Sequence, residues 1–181
     1  MKLIIKVLVI LTVLAAYTSA YAGWEVTNST DPITDDAKKI AIVKNQAGHS
    51  FSIYRIPPED LVWGTFSLSD STVDQIDSER PPIYWVDNKT PYNLSTSKDL
   101  DEKYDLSLYQ REPKWVNFVV WHGKVDEGVS GDIVDIVKGH EIFFNYYTVS
   151  GDDKDTSFTL KGSAAAISEI VGINMEKAIG R

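Results

Sequence analysis

The chain contains no cysteine, two methionines and three histidines. Without cysteine there is no disulfide scaffold and no thiol nucleophile. With so few histidines, none closely paired and no His-Glu-x-x-His run, a zinc centre lacks local ligands. Basic charge is also short: 18 Lys and Arg stand against 26 Asp and Glu, a net charge of −8. Nucleic-acid affinity rests on basic patches, so a phosphate-backbone binder is excluded. No glycine-rich phosphate loop, no basic residues interleaved with aromatics and no Gly-x-Ser-x-Gly nucleophile elbow occur. Nothing in the pattern calls for a cofactor. After the first 22 residues, no apolar run approaches the roughly 18 residues of a membrane-spanning helix.

Hydrophobic residues make up 43% of the 181 positions, an ordinary globular composition. The N-terminus is the most informative segment. Met1-Lys2-Leu3 leads to Lys6, then the apolar stretch Val7 to Tyr17, then Thr18-Ser19-Ala20-Tyr21-Ala22. This has the form of a secretory signal: a basic start, an apolar run of about 7–15 residues, and an A-x-A cleavage site at Ala20 and Ala22. The run is about half the length of a spanning helix, and no cysteine follows it to carry a lipid. The expected address is the bacterial periplasm, with residues 1–22 as signal peptide and 23–181 as a single domain. That domain carries 16 basic and 26 acidic side chains, a net charge of −10. About 150 residues bury roughly 68–70% of their unfolded surface, enough for one core without cross-links.

The remainder alternates as short strands. Ile40 to Val43, Phe51 to Ile56, Leu61 to Leu68, Ile83 to Val86, Trp115 to His122, Ile142 to Val149 and Thr156 to Leu160 are the candidates. In Trp115 to His122, Trp115, Val119 and Trp121 are expected on one face and Val116, Phe118 and Val120 on the other. Ile142, Phe144 and Tyr146 likewise oppose Phe143, Tyr147 and Val149. A strand apolar on both faces must be covered on both. The expected fold is mainly β: an antiparallel β-sandwich of about seven or eight strands, with a short helix and a C-terminal helix. The short helix is Asp132 to Lys138, capped by Asp132 and stopped by Gly139. The second starts at Ser163 and stops at Gly172, with Ala164, Ile167, Ile170 and Val171 as its apolar stripe. Phe118, Val120, Phe144, Ile167 and Ile170 are the predicted core. Ser95 to Glu112 is charged and poor in apolar residues, and reads as a mobile surface loop with partial order around Leu106 to Tyr109.

Residues that carry chemistry are scattered. His49, His122 and His140 read as loop-edge histidines, since no triad is recognisable from dispersed residues. Asp152, Asp153 and Asp155 offer hard oxygens to Ca²⁺ but lack the EF-hand spacing, so Gly151 to Asp155 reads as a solvated hairpin. Trp63, Trp85, Trp115 and Trp121, with Tyr54, Tyr84, Tyr146 and Tyr147, would serve a carbohydrate or peptide platform if exposed, and otherwise pack the core. No catalytic, cofactor-binding or metal-binding residue is assigned.

The order of landmarks nevertheless resembles a known family. A tryptophan opens the mature chain, and Asp31-Pro32-Ile33-Thr34-Asp35-Asp36 precedes the first strand. Ile136-Val137-Lys138-Gly139-His140-Glu141-Ile142 runs a short helix into a Gly-His and a strand. Phe158-Thr159-Leu160-Lys161-Gly162 leads to an Ala-Ile helix at Ala166-Ile167. This resembles the type VI secretion-associated TagO/VasI family, and the closing pattern is also similar to the invasion-associated locus B family of exported β-sandwich proteins. The chain departs from both in having no cysteine and in the charged Ser95 to Glu112 insertion. The resemblance implies an exported, non-enzymatic, β-rich accessory protein and carries over no functional residues. The expected partner is another envelope protein, a basic one to suit the acidic charge. The alternatives are a periplasmic inhibitor or immunity protein against a cell-wall-degrading toxin, and a secreted cell-wall hydrolase using a carboxylate pair or His122.

Export predicts a product that begins at Gly23. Intact mass spectrometry of the periplasmic fraction checks this, and Met1 retained in a membrane pellet contradicts it.

Overall fold

The computed structural model of the chain describes residues 23–30, 37–55, 61–94, 109–123 and 128–180. The signal-like segment, residues 31–36 and residues 95–108 lie outside them. Strands occupy Glu25–Thr30 (β1), Ala37–Lys44 (β2), Ser50–Arg55 (β3), Leu61–Ser67 (β4), Ile83–Val86 (β5), Tyr92–Asn93 (β6), Tyr109–Glu112 (β7), Trp115–His122 (β8), Glu141–Tyr147 (β9) and Asp153–Thr159 (β10). Helices occupy Asp132–Lys138 (α1), Ser163–Val171 (α2) and Met175–Ile179 (α3). The strands form two antiparallel sheets, β1-β2-β3-β4-β8-β7 and β10-β9-β5-β6. Their inner faces pack as a β-sandwich. Three strands that hydrophobic alternation does not reveal, β1, β6 and β7, each lie at a sheet edge. An edge strand satisfies a single row of backbone hydrogen bonds and buries little, so its sequence need not alternate.

Phenylalanines hold the sheets together. Phe66 of the six-stranded sheet stacks on Phe144 of the four-stranded one at 4.6 Å between ring centroids, and Phe51 lies 5.5 Å from Phe144 and 6.2 Å from Phe158. Phe118 joins from β8, 4.8 Å from Tyr84 on β5. The six-stranded sheet is wider than its partner, and α2 lies against the uncovered inner side of β1, β2 and β3. Ile133 and Ile136 of α1, Ile167 and Val171 of α2 and Met175 of α3 extend the same core. Trp24 fastens the start of the described chain. Its ring meets Phe51 edge-on at 5.8 Å while its indole N–H donates to the Thr159 carbonyl of β10 at 3.1 Å.

The predicted two-sided strands are two-sided in different ways. On the outer face of the six-stranded sheet Tyr54, Leu61 and Trp63 form a second buried cluster, flanked by Ile40 and Val119. On β8 the predicted face assignment fails at one residue. Val62 pairs with Trp121 and Trp63 with Val119, so Val120 is an extra residue in the ladder. A bulge of this kind turns the following side chain to the other face. Trp121 therefore enters the main core beside Val120 instead of sharing the outer face with Val119.

The helix ends also differ from expectation. Gly131, not Asp132, caps α1, and Gly162, not Ser163, caps α2. Ser163 is fully buried, and its hydroxyl donates to the Ile136 carbonyl at 2.9 Å, linking α2 to α1. Gly139 follows α1 in extended backbone, not the left-handed form. A glycine is needed there because a Cβ would come within 2.3 Å of Val86 and 2.8 Å of the Asp135 carbonyl. Gly172 stops α2 in left-handed conformation, as predicted (φ 81°). The sequence pattern missed α3, whose start is capped by Asn174 accepting from the Lys177 N–H at 2.9 Å. Of the predicted core, Phe118, Val120, Phe144 and Ile167 are buried. Ile170 is only half-buried, and the buried residues at that end of α2 are Val171 and, beyond it, Met175. The expected order around Leu106 to Tyr109 lies outside the described residues except at Tyr109, and Tyr109–Glu112, expected as the end of the Ser95 to Glu112 loop, instead form strand β7 paired with β8.

Phe144→Ala should cost about 3–5 kcal/mol in urea unfolding, the range for a large ring removed from a packed core. Ile170→Ala should cost less than half as much. Equal losses would place Ile170 in the core after all.

Candidate functional site

Tyr84, offered by the sequence as a platform ring, and Asp132, expected as a helix cap, form the chemically most distinctive contact among the described residues. Tyr84 and Tyr92 are cross-strand partners on β5 and β6, with ring centroids 5.4 Å apart. Tyr84 is buried, and its hydroxyl donates a hydrogen bond to the Asp132 carboxylate at the start of α1. One turn later Asp135 pairs with the exposed Lys89. Asp132 opens onto a cleft of about 190 Å³ lined by Tyr92, Val119 to His122, Ser130 and Gly131. The β8 bulge and the Gly131 turn thus bring one strand end and one helix start to a common concavity.

Burial raises the pKa of Asp132 above its ordinary 3.8, the Asp135 charge adds to the rise, and the Tyr84 hydroxyl opposes it. Burial likewise raises Tyr84 well above 10.0, reinforced by the Asp132 charge, and Tyr92 rises for the same two reasons. Both phenols stay protonated as donors at neutral pH. Among the described residues no basic side chain pairs with Asp132, whereas Asp74, Asp77, Asp87 and Asp135 each meet a Lys, Arg or His. The site is a half-buried carboxylate with one hydroxyl donor, aromatic walls and a histidine at its rim.

The other sequence candidates fall elsewhere. His49 is buried between Phe66 and Tyr146, and its Nδ1 accepts from the Ser69 N–H at 2.9 Å, so it is a neutral core histidine rather than a loop-edge one. Burial lowers its pKa below 6.5. His140 is 94% exposed, 3.5 Å from Asp87. Asp87 itself accepts from the backbone N–H groups of Glu141 and His140, which lower its pKa and join β5 to β9. Only His122 lines the cleft. In the hairpin, Asp153 and Asp155 both accept from the Asn145 amide, at 2.6 and 3.0 Å, and Asp152 accepts from the Ser150 hydroxyl. Among the described residues no group of three His, Asp or Glu side chains is arranged to hold a metal ion.

The aromatic platform is a poor one. On the outer face of the four-stranded sheet Trp85 and Phe143 stack on each other at 5.4 Å, and the Arg80 guanidinium covers Tyr147 at 4.2 Å, so ring faces are already occupied. Trp63 and Trp121 are buried. A second hollow of about 240 Å³ lies between Gln75 to Ser78, Glu112, Pro113 and Val149. Its one carboxylate with a lowered pKa, Asp77, is engaged by the Glu79 N–H and by Arg80. No described helix is long and apolar enough to cross a membrane. Comparison with models of protein families, with curated proteins and with solved structures finds no match to this chain.

A carboxylate whose folded pKa lies above its unfolded value binds more protons when folded, so its contribution to stability declines as pH rises from about 3.8 through the raised pKa. Asp132→Asn removes that dependence. The variant should therefore gain on the wild type in unfolding free energy as pH rises through the acidic range and hold the gain at neutral pH. A constant difference across this range contradicts the electrostatic description. Tyr84→Phe, which strips the donor from a half-buried charge, should cost about 1–3 kcal/mol at neutral pH in the same unfolding measurement.

Proposed function

We propose that this chain is an exported accessory protein of the bacterial envelope that binds a basic protein partner and carries out no turnover itself. The observation that carries this reading is the Asp132 cleft: a half-buried negative group left without a counter-cation among the described residues, in a domain with ten more acids than bases. A net negative field speeds encounter with positive partners and suppresses acidic ones. The exposed Asp152, Asp153 and Asp155 of the hairpin add to that field, since Asn145 and Ser150 hold them in place without neutralising them. The likeness to the TagO/VasI and invasion-associated families agrees with an exported accessory role. The signal-like N-terminus supports the periplasmic address.

A second reading is favoured by one observation. His122 and Asp132, whose pKa burial raises, line the same cleft, a pairing of a histidine with a carboxyl group that general acid–base chemistry would use. That reading is a cell-wall hydrolase.

A pull-down from envelope extracts with the purified exported protein, at low and high salt, followed by a peptidoglycan-release assay, separates the two. The binding reading predicts capture of a basic protein that weakens with salt, and no muropeptide release. Muropeptide release that is abolished by His122→Ala or Asp132→Asn would overturn it.

A further inference from the structure

We propose that the Asp132 cleft is the receptor for a single basic side chain, lysine or arginine, projecting from the partner. This rests on the binding reading above and names the contact it uses. Size comes first. At about 190 Å³ the cleft is smaller than the roughly 300–1,000 Å³ of sites that enclose a whole drug-sized ligand, and suits one side chain. Charge comes second. The carboxylate at its edge is partly removed from water, with the Asp135 charge nearby, and no described basic residue compensates it. Burying an unpaired charge is costly, and an entering cation relieves that cost where a neutral or anionic group cannot. The walls come third. Tyr92, a half-buried ring close enough to feel the Asp132 charge, lines the same cleft, and a cation over an aromatic face gains about 0.5–2 kcal/mol.

The chain already uses the same chemistry on itself. The Arg80 guanidinium lies over Tyr147 with its Nε bonded to Asp77 at 2.7 Å, and the Lys38 ammonium lies over Tyr54. In both places a cation is held against a ring by residues of this fold. At the cleft the ring and the acid are present and the described chain supplies no cation. A divalent metal does not fit as the occupant, because the described residues gather no third ligating side chain there. The hydrogen bond from the buried Tyr84 hydroxyl orients the carboxylate, so the receptor is preorganised and little ordering is needed on binding.

Nα-acetyl-arginine amide and Nα-acetyl-lysine amide, titrated into the ¹⁵N-labelled exported protein, test this directly. Saturable shifts confined to Tyr92, Val119 to His122, Ser130 to Asp132 and the Trp121 indole are expected. Nα-acetyl-norleucine amide, of similar length without charge, should leave them in place. Asp132→Asn, which keeps an acceptor for Tyr84 and leaves the protein folded and no less stable at neutral pH, should weaken the basic probes at least tenfold, whereas Asp153→Asn with Asp155→Asn should not. Tyr92→Ala supplies a second variant and should also weaken them. Equal shifts with the norleucine probe, or equal arginine affinity after Asp132→Asn, overturn the proposal. Partner capture that is insensitive to Asp132→Asn also overturns it. Cleft shifts with the basic probes but no basic protein captured would instead overturn the partner reading and leave the cation receptor in place.

Discussion

Phe66 and Phe144, stacked 4.6 Å apart and 12° from parallel, join the two sheets at the centre of the molecule, and the other features hang from that contact. Phe51, Phe118 and Phe158 crowd the same pair, so ring packing is what chiefly fixes the sheets in separation and registry. A chain without cysteine has no covalent alternative. Tyr84 belongs to this cluster through Phe118 and Phe144, and its hydroxyl emerges at the rim to meet Asp132. The position of the candidate carboxylate is thus set by the hydrophobic core. A side chain locked by packing holds its polar tip more closely than one on a free loop.

The sheet edges show how a strand-rich chain avoids pairing with its neighbours. At β10 the Thr159 carbonyl accepts from the Trp24 indole, and the Ser157 carbonyl accepts from the Asn45 amide. Further along the strand, Asp153 and Asp155 project from the outer face as exposed charges. Covered carbonyls and charged side chains both discourage edge-to-edge association. The acidic surface that the functional reading depends on therefore also serves solubility. The half-buried Asp132 is different in kind: it costs folding free energy, and a group that lowers stability without an evident structural return is where a functional role is expected.

Much of the sandwich could be read from alternation, because Ile142, Phe144 and Tyr146, or Val116, Phe118 and Val120, are packed on their inner face with a strict two-residue period. What alternation could not give depends on tertiary context. The bulge at Val120 carries no local signature, yet it sends Trp121 into the core. β6, two residues long, exists only because Tyr92 has Tyr84 to pair with. Ser163 resembles a helix cap in sequence and becomes a buried strut because α1 lies beside it. The candidate site was the least legible part. Tyr84 and Asp132 are 48 residues apart, and Asp132 looked like an ordinary helix cap. His122 was visible as a strand-end histidine, but its place beside Asp132 follows from the bulge and the Gly131 turn. An aspartate directly after glycine at a helix start, with a tyrosine on an inner strand face, was the only available signal, and it is a common one.

The account turns on Asp132 being a partly buried carboxylate that lacks a cation. Following the ¹³C shift of its side-chain carboxyl against pH, in the free protein and with Nα-acetyl-arginine amide present, measures this without any substitution. The free protein should titrate above the ordinary aspartate value of 3.8, and the added guanidinium should bring the midpoint down, because a neighbouring positive charge favours the ionised form. A free-state midpoint at or below the ordinary value, unmoved by the probe, would show a carboxylate already satisfied within the chain and would contradict the account.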